Sequence, residues 1–350
     1  MAEIGANEQG LEGVFEQTEV RKGRSPMADA WREFRNNKVG MAGAVFIAVV
    51  IVMAFIAPII TPYHYSDQWT SAARSTPMTG YTITTDHAED KCHWYGTPLE
   101  WGCALYLVGS DSLGRDLWSR TIYGTQVSLL VALVAASVSL TIGTVVGTVS
   151  GYAGGRVDNA VMRVVDFMYA VPTLPIIILM QVYFQALARQ GVTTGLAGAL
   201  IRINQSMGGL FFIFITMGAL FWLGMARLAR GQVLSYKQKE FVEAARSIGA
   251  GSSRIMFKHL LPNILGPLLI AESMAIPGYI FFEAALSFIG LGVNPPTPSW
   301  GAMINEGRLG IRSQPHLVLV PGIALALLTL AFNFMGDGLR DAFDPKIRER

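Results

Sequence analysis

The amino-acid sequence predicts an all-α polytopic membrane protein with six transmembrane helices, and three observations carry that expectation. Hydrophobic residues make up 51% of the 350 and charged ones only 15%, with a mean hydropathy of +0.40, too apolar for a domain surrounded by water. The apolar residues gather in runs at 39–61 and at about 125–150, 164–188, 210–229, 264–290 and 317–336. At about 1.5 Å per residue such runs match a hydrocarbon core of about 30 Å. Lys and Arg divide unevenly between the segments that separate the runs: 19 of 27 lie in 1–38, 151–163, 226–262 and 340–350. The positive-inside rule therefore puts those segments, and both termini, in the cytoplasm.

In chain order, residues 1–38 read as a cytoplasmic tail, partly disordered, with an interfacial turn at Trp31-Arg32-Glu33-Phe34-Arg35. The first apolar run begins only at Val39, so the start of the chain reads as an uncleaved anchor rather than a signal peptide. Residues 39–61 form the first span, and 62–124, rich in Thr, Ser, Asp and Pro, a periplasmic segment carrying an insert. Within it Cys92 and Cys103 enclose ten residues, and neither belongs to a CxxC pair, which argues against a redox motif or a zinc ribbon. An oxidising periplasm favours a disulfide between them, stabilising the loop by roughly 2–3 kcal/mol. The grouping of His87, Cys92, His93 and Cys103 leaves a metal site as the alternative. Residues 125–340 hold the five-helix core, and 341–350 a cytoplasmic tail. Gly143, Gly147, Pro172, Pro175, Pro277 and Gly278 fall inside spans, where they permit close approach and kinks, for a moving pathway or for packing alone.

Between the fourth and fifth runs lies a polar island, 235–263. Ser235 is placed to cap a helix running to Ile248, Gly249 to end it, Ser252 or Ser253 to cap a second helix, and Pro262 to stop that one. Phe241, Ala245 and Ile248 share one face at helical spacing, as do Ile255, Met256 and Leu260. The result is an apolar knob with a basic rim, which small Ala244 and Ala245 allow a partner to approach and where Glu243 offers a carboxylate. Such a knob either docks in a groove on a soluble partner or merely covers the membrane face.

The chain contains no GxxxxGK[ST] phosphate loop, and Gly249-Ala250-Gly251 lacks the remaining features of a dinucleotide site. Ser, His and Asp are scattered on opposite sides of the expected membrane, which gives a hydrolytic triad no support. Two carboxylates stand out inside the fifth run. Glu272 and Glu283, eleven residues or about three turns apart, share a face that looks into the bundle or a water-filled path. They either meet the amino group of a passing peptide or pair with neighbouring helices, or Glu283 sits at the external interface. Asp166 lies three residues after Arg163, the spacing of a helical ion pair, and Asn333 and Asp337 in the last run are candidates for packing against another subunit.

Glu243-Ala244-Ala245, three residues, Gly249, and then Leu261-Pro262 resemble the EAA loop of ATP-binding-cassette importer permeases. His259 stands where an apolar residue is expected, a spelling similar to the peptide and nickel branch. Val108-Gly109-Ser110-Asp111-Ser112-Leu113-Gly114-Arg115-Asp116 with Ser119-Arg120, Gly151-Tyr152-Ala153-Gly154-Gly155, Leu286 to Gly292, Pro295 to Gly301 and Asn333 to Asp341 resemble dipeptide and oligopeptide permeases in the same order. The likeness covers roughly 30–60 and 105–346, and the insert at about 66–107 departs from it. The resemblance implies a type I importer permease fold in the bacterial inner membrane. It also implies a second homologous permease, two ATPase subunits that carry ATP and Mg, a periplasmic substrate-binding protein, and a coupling role for Glu243, Ala244, Ala245, Gly249, Leu261 and Pro262. On that reading the chain has no cofactor or ATPase site of its own. Nickel import is the alternative within the family, and an ion-coupled secondary transporter using Glu272 or Glu283 the alternative outside it.

Overall fold

The computed structural model describes residues 26–70, 73–77, 79–82, 92–94, 97–99, 103–191 and 194–343. Among the described residues five helical stretches are long and apolar enough to cross a membrane, or six if the bent pair over 155–170 and 174–189 counts as one span. Helix α1 (Pro26–Asn36) is amphipathic, burying Ala30 and Phe34 and exposing Trp31, Arg32 and Arg35. The segment read as a turn is thus part of a helix, because Phe34 finds an apolar wall to pack on. Asn37 interrupts the chain and caps α2 (Lys38–Phe55), accepting the Gly40 N–H at 2.9 Å. A short α3 (Ala57–Ile60) follows, with Pro58 in its first turn, where no N–H is missed.

Among the described residues of the insert are four short strands: β1 (Thr79–Thr82) pairs antiparallel with β4 (Cys103–Tyr106), and β2 (Cys92–Trp94) with β3 (Thr97–Leu99). The side chains of Cys92 and Cys103, and with them the expected disulfide, lie outside the described residues, as does His87. Its inner end is anchored by Tyr106, fully buried, whose hydroxyl donates to the Gly114 carbonyl at 3.0 Å.

Helix α4 (Leu117–Ala153) starts eight residues before the expected second span, because Asp116 caps it: Oδ2 accepts the Ser119 N–H at 2.7 Å and the Ser119 hydroxyl at 2.6 Å. The third run is not one straight helix. α5 (Gly155–Ala170) and α6 (Thr173–Arg189) meet at Val171–Pro172 with a 74° bend, since Pro172 cannot continue a helical ladder. α7 (Gly195–Ser206) precedes α8 (Leu210–Leu220) and α9 (Trp222–Tyr236), which together form the fourth span. The remaining helices are α10 (Glu240–Ser247), α11 (Ser252–Arg254), α12 (Leu261–Phe288), α13 (Trp300–Gly307) and α14 (His316–Phe343).

α4 is the spine. It packs most extensively against α9, and a Cβ on Gly147 would run into the Ala226 carbonyl oxygen, so the two backbones approach as only glycine allows. On its other sides α4 meets α12 and α2, while α14 covers α2, α12 and α13. Glu272 and Glu283 join α12 to α4. Ser139 donates to Glu272 at 3.0 Å and Ser128 to Glu283 at 3.3 Å, with Tyr279 (2.9 Å) and Ser287 (2.6 Å) donating from α12 itself. Ser128 and Ser139 are, like the glutamates, eleven residues apart, so two antiparallel helices present matched polar positions at the same interval.

Candidate coupling site

The polar island folds differently from its local signals at three points. Ser235 lies inside α9, which runs on to Tyr236, and the break comes at Lys237–Lys239, where extended Lys239 precedes α10. Apolar Val233 and Tyr236 still have α4 and α12 side chains to pack against, so the helix continues past the capping residue. The second helix is entered from Gly251 rather than Ser252 or Ser253. Pro262 does not stop it: Ser252 to Phe288 is one continuous helical stretch. A π-turn over Ile255–Leu260, in which the Leu261 N–H reaches back to the Met256 carbonyl, shifts the ladder by one residue where the proline has no N–H to give.

Gly249 ends α10 as its type predicts. Its φ is +80°, the Ala250 N–H returns to the Ala245 carbonyl at 3.0 Å and the Gly249 N–H to Arg246 at 2.9 Å, a Schellman closure. Nothing lies within 4 Å of where its Cβ would be, so the glycine is required by conformation and not by space. Glu240 and Glu243 occupy the first turn of α10 and Arg246 the last, both favourable to the helix dipole.

The loop has two faces, and they divide the expected knob. Val242, Ala245, Ile255 and Leu260 turn inward and share one apolar cluster with Met225, Ala229, Val233, Ile264 and Leu268 of α9 and α12. Turned outward are Glu243, Ala244, Phe241 at 39% exposure, Phe257 at 54% and Ile248 at 86%. Ala245 therefore belongs to the base and not to the outward face with Phe241 and Ile248. Leu261 is half-buried against the base cluster, and Pro262 and Gly249 are exposed. The sequence reading passed over Val242 and Phe257. Val242 had a signal, being one helical turn from Ala245 and Arg246, whereas the exposure of Phe257 depends on the π-turn.

The Glu243 carboxylate has no side-chain partner among the described residues. Asp166 does not pair with Arg163: it accepts Arg227 of α9 at 2.6 Å, and the Arg227 guanidinium sits 4.0 Å from the Tyr169 ring centroid. Glu272 and Glu283 are buried and lie on one face of α12, against α4. Asn333 and Asp337 are exposed on α14.

At the opposite end of the bundle, Asp111, Arg115, Arg120 and Glu306 form an ion-paired quartet. Asp111 Oδ2 accepts Arg115 Nε at 2.6 Å and also Arg120, and Glu306 accepts Arg115 at 2.8 Å and Arg120 at 2.9 Å. Trp300, almost fully buried, donates its indole N–H to the Thr121 carbonyl at 2.9 Å and completes the attachment of α13 to α4. Next to the quartet, burial pushes the Asp116 carboxyl up to about 6 despite the hydrogen bonds from Ser119 and the Trp118 backbone.

Comparison with known proteins bears on both ends. Residues 143–349 match the model of the binding-protein-dependent transport system inner membrane component, and 25–77 that of the N-terminal TM domain of oligopeptide transport permease C. The chain is 38% identical to the oligopeptide transport system permease protein OppC of Haemophilus influenzae over 93% of its own length and 91% of that protein's. It is 36% identical to OppC of Bacillus subtilis, covering 94% and 92%, and 36% identical to the dipeptide transport system permease protein DppC of the same organism, covering 91% and 86%. Among solved structures, the inward-facing MetNI methionine ABC transporter aligns with a TM-score of 0.45 at 20% identity over 65% of this chain and 97% of that one.

Proposed function

The chain belongs to the family of binding-protein-dependent transport system inner membrane components, and we propose that it is the permease subunit of an ATP-driven peptide importer whose coupling site is the loop 237–263. The observation that carries this reading is the division of the loop into two faces. An inward face locked into the helix bundle makes the loop rigid, and an outward face of Phe241, Ile248 and Phe257 around the free Glu243 carboxylate leaves apolar side chains that only a partner covers. The names of the similar permeases, for oligopeptides and dipeptides, support peptide as the substrate. They favour it over nickel, and the family favours an ATP-driven system over an ion-coupled one.

The Lys and Arg distribution orients the loop and both termini to the cytoplasm. There the loop meets one of two ATPase subunits, which supply ATP and Mg, while a second homologous permease completes the pathway and an external binding protein delivers the peptide. This chain contributes no ATPase site. Closing of the ATPase pair drags the loop, and because packed elements switch between discrete arrangements the permeases rock between inward and outward states.

Reconstitution of the whole complex tests the proposal. Glu243→Lys and Gly249→Pro are expected to leave the spans inserted and ATP hydrolysis running while peptide uptake falls at least about tenfold, a coupling loss of about 1.4 kcal/mol or more. Undiminished uptake in both variants would overturn it.

A further inference from the structure

The first half of the broken span is attached to the rest of the protein in an unusual way. Of the sixteen residues of α5 only Asp158 and Val165 are buried, and the helix makes few close backbone approaches to α9. Side chains bridge that gap. Arg230 of α9 grips Asp158 with two parallel bonds, Nε to Oδ1 at 2.5 Å and Nη2 to Oδ2 at 2.6 Å, and the Ser150 hydroxyl of α4 donates to the same carboxylate at 2.5 Å. One turn earlier on α9, Arg227 reaches Asp166 and covers the Tyr169 ring. Just beyond α9, Lys237 donates to the Gly151 carbonyl at 2.9 Å.

These contacts line up on the helix that runs straight into the coupling loop and shares the loop's apolar base through Met225, Ala229 and Val233. At its far end α5 meets the 74° bend at Val171–Pro172, beyond which α6 makes few contacts of its own. Resting on the coupling role proposed above, we infer that Asp158 and Asp166, held by Arg230 and Arg227, are positioning residues that make α5 part of the coupling unit. The loop's displacement then reaches α6 through the bend. Apolar packing does not provide this link, because α5 buries one valine; a bidentate guanidinium clamp does, because it fixes orientation as well as distance.

The experiment is a pair of electron-spin distance measurements in the assembled complex, with labels on non-natural residues at Phe167 or Leu179 and at Ser235, without nucleotide and with ATP plus vanadate. In the native protein the Phe167–Ser235 distance is expected to stay fixed between states while the Leu179–Ser235 distance shifts. In Asp158→Asn/Asp166→Asn the Phe167–Ser235 distribution is expected to broaden about twofold, and the exchange Asp158→Arg/Arg230→Asp to narrow it again, a rescue that general destabilisation would not give. A native Phe167–Ser235 distance that changes between states, a Leu179–Ser235 distance that does not, or a neutral double variant that keeps the native distribution would each overturn the inference. If these occur while Glu243→Lys still uncouples uptake, the inference alone is lost; if Glu243→Lys transports normally, the coupling reading beneath it is lost too.

Discussion

The two ends of the helix bundle both concentrate charge, but they use it in opposite ways. At the insert end Asp111, Arg115 and Arg120 are buried and ion-paired within the chain together with Glu306, and Trp300 ties the helix that carries Glu306 to α4. At the loop end Glu243 has no side-chain partner among the described residues, and Phe241, Ile248 and Phe257 face outward. A buried ion cluster fixes geometry because each group depends on the others for its desolvation cost. An exposed apolar face with a free carboxylate does nothing for the isolated chain and acquires a role only with a partner. On the proposed coupling role, one end is built to stay in place and the other to be grasped.

Substitutions at the two ends should therefore separate stability from coupling. The largest effect is expected from Arg120→Ala, which leaves two carboxylates, Asp111 and Glu306, sharing Arg115 alone, one buried negative charge uncompensated, and costs about 3–5 kcal/mol. Thermal melting of the purified chain in detergent measures it, and a loss below about 1 kcal/mol would show that the insert end is no lock. Asp116 gives the next largest effect. Its folded value of about 6 lies above the ordinary 3.8, so its ionised form is disfavoured by folding. The stability is fully present below about pH 4 and is lost as pH rises through 6, about 3 kcal/mol in all. Asp116→Asn keeps the helix cap and is expected to remove that loss, read as the difference between the two melting curves from pH 4 to 7.

At the loop end the expected costs are smaller. Gly249→Ala puts a Cβ into the left-handed region without a clash and should cost about 1 kcal/mol, seen as faster amide exchange confined to 240–250. Ile248→Ala should change the melting of the isolated chain by less than about 0.5 kcal/mol while weakening its pull-down of the ATPase subunits. A large stability loss there would mean that the side chain packs on its own protein, and the contrast between the ends would fail.

Much of the fold was legible from the sequence, because a membrane helix satisfies its own backbone and announces itself by apolar length. The fourth, fifth and last runs sit in the helical stretches expected of them, while the first, read as 39–61, ends its long helix at Phe55 and finishes in the short α3. The second was read eight residues short, since Leu117–Gly124 is polar enough to look external but is buried under α3 and α13. The third was read as one span because a proline inside an apolar run is compatible with a kink of any size. In the coupling loop the glycine signal was reliable, being a requirement of a single residue's backbone, whereas Ser235 and Pro262 misled, because long helices packed on both sides override a local cap or stop. Asp166 was matched to Arg163 by spacing alone; its partner, Arg227, is sixty-one residues away.

What the sequence by itself determined was the class of protein, the position of its apolar helices, and the place of the loop that differs from its surroundings. These are properties of solvent transfer and local backbone preference, which act within about twenty residues. Only the tertiary structure decided which face of the loop turns inward and which outward, that the glutamates of α12 meet serines of α4, and that α5 is tied to α9 by arginines. Those outcomes depend on which helices become neighbours, and a hydrogen bond or ion pair between distant segments leaves no period in the chain to be read.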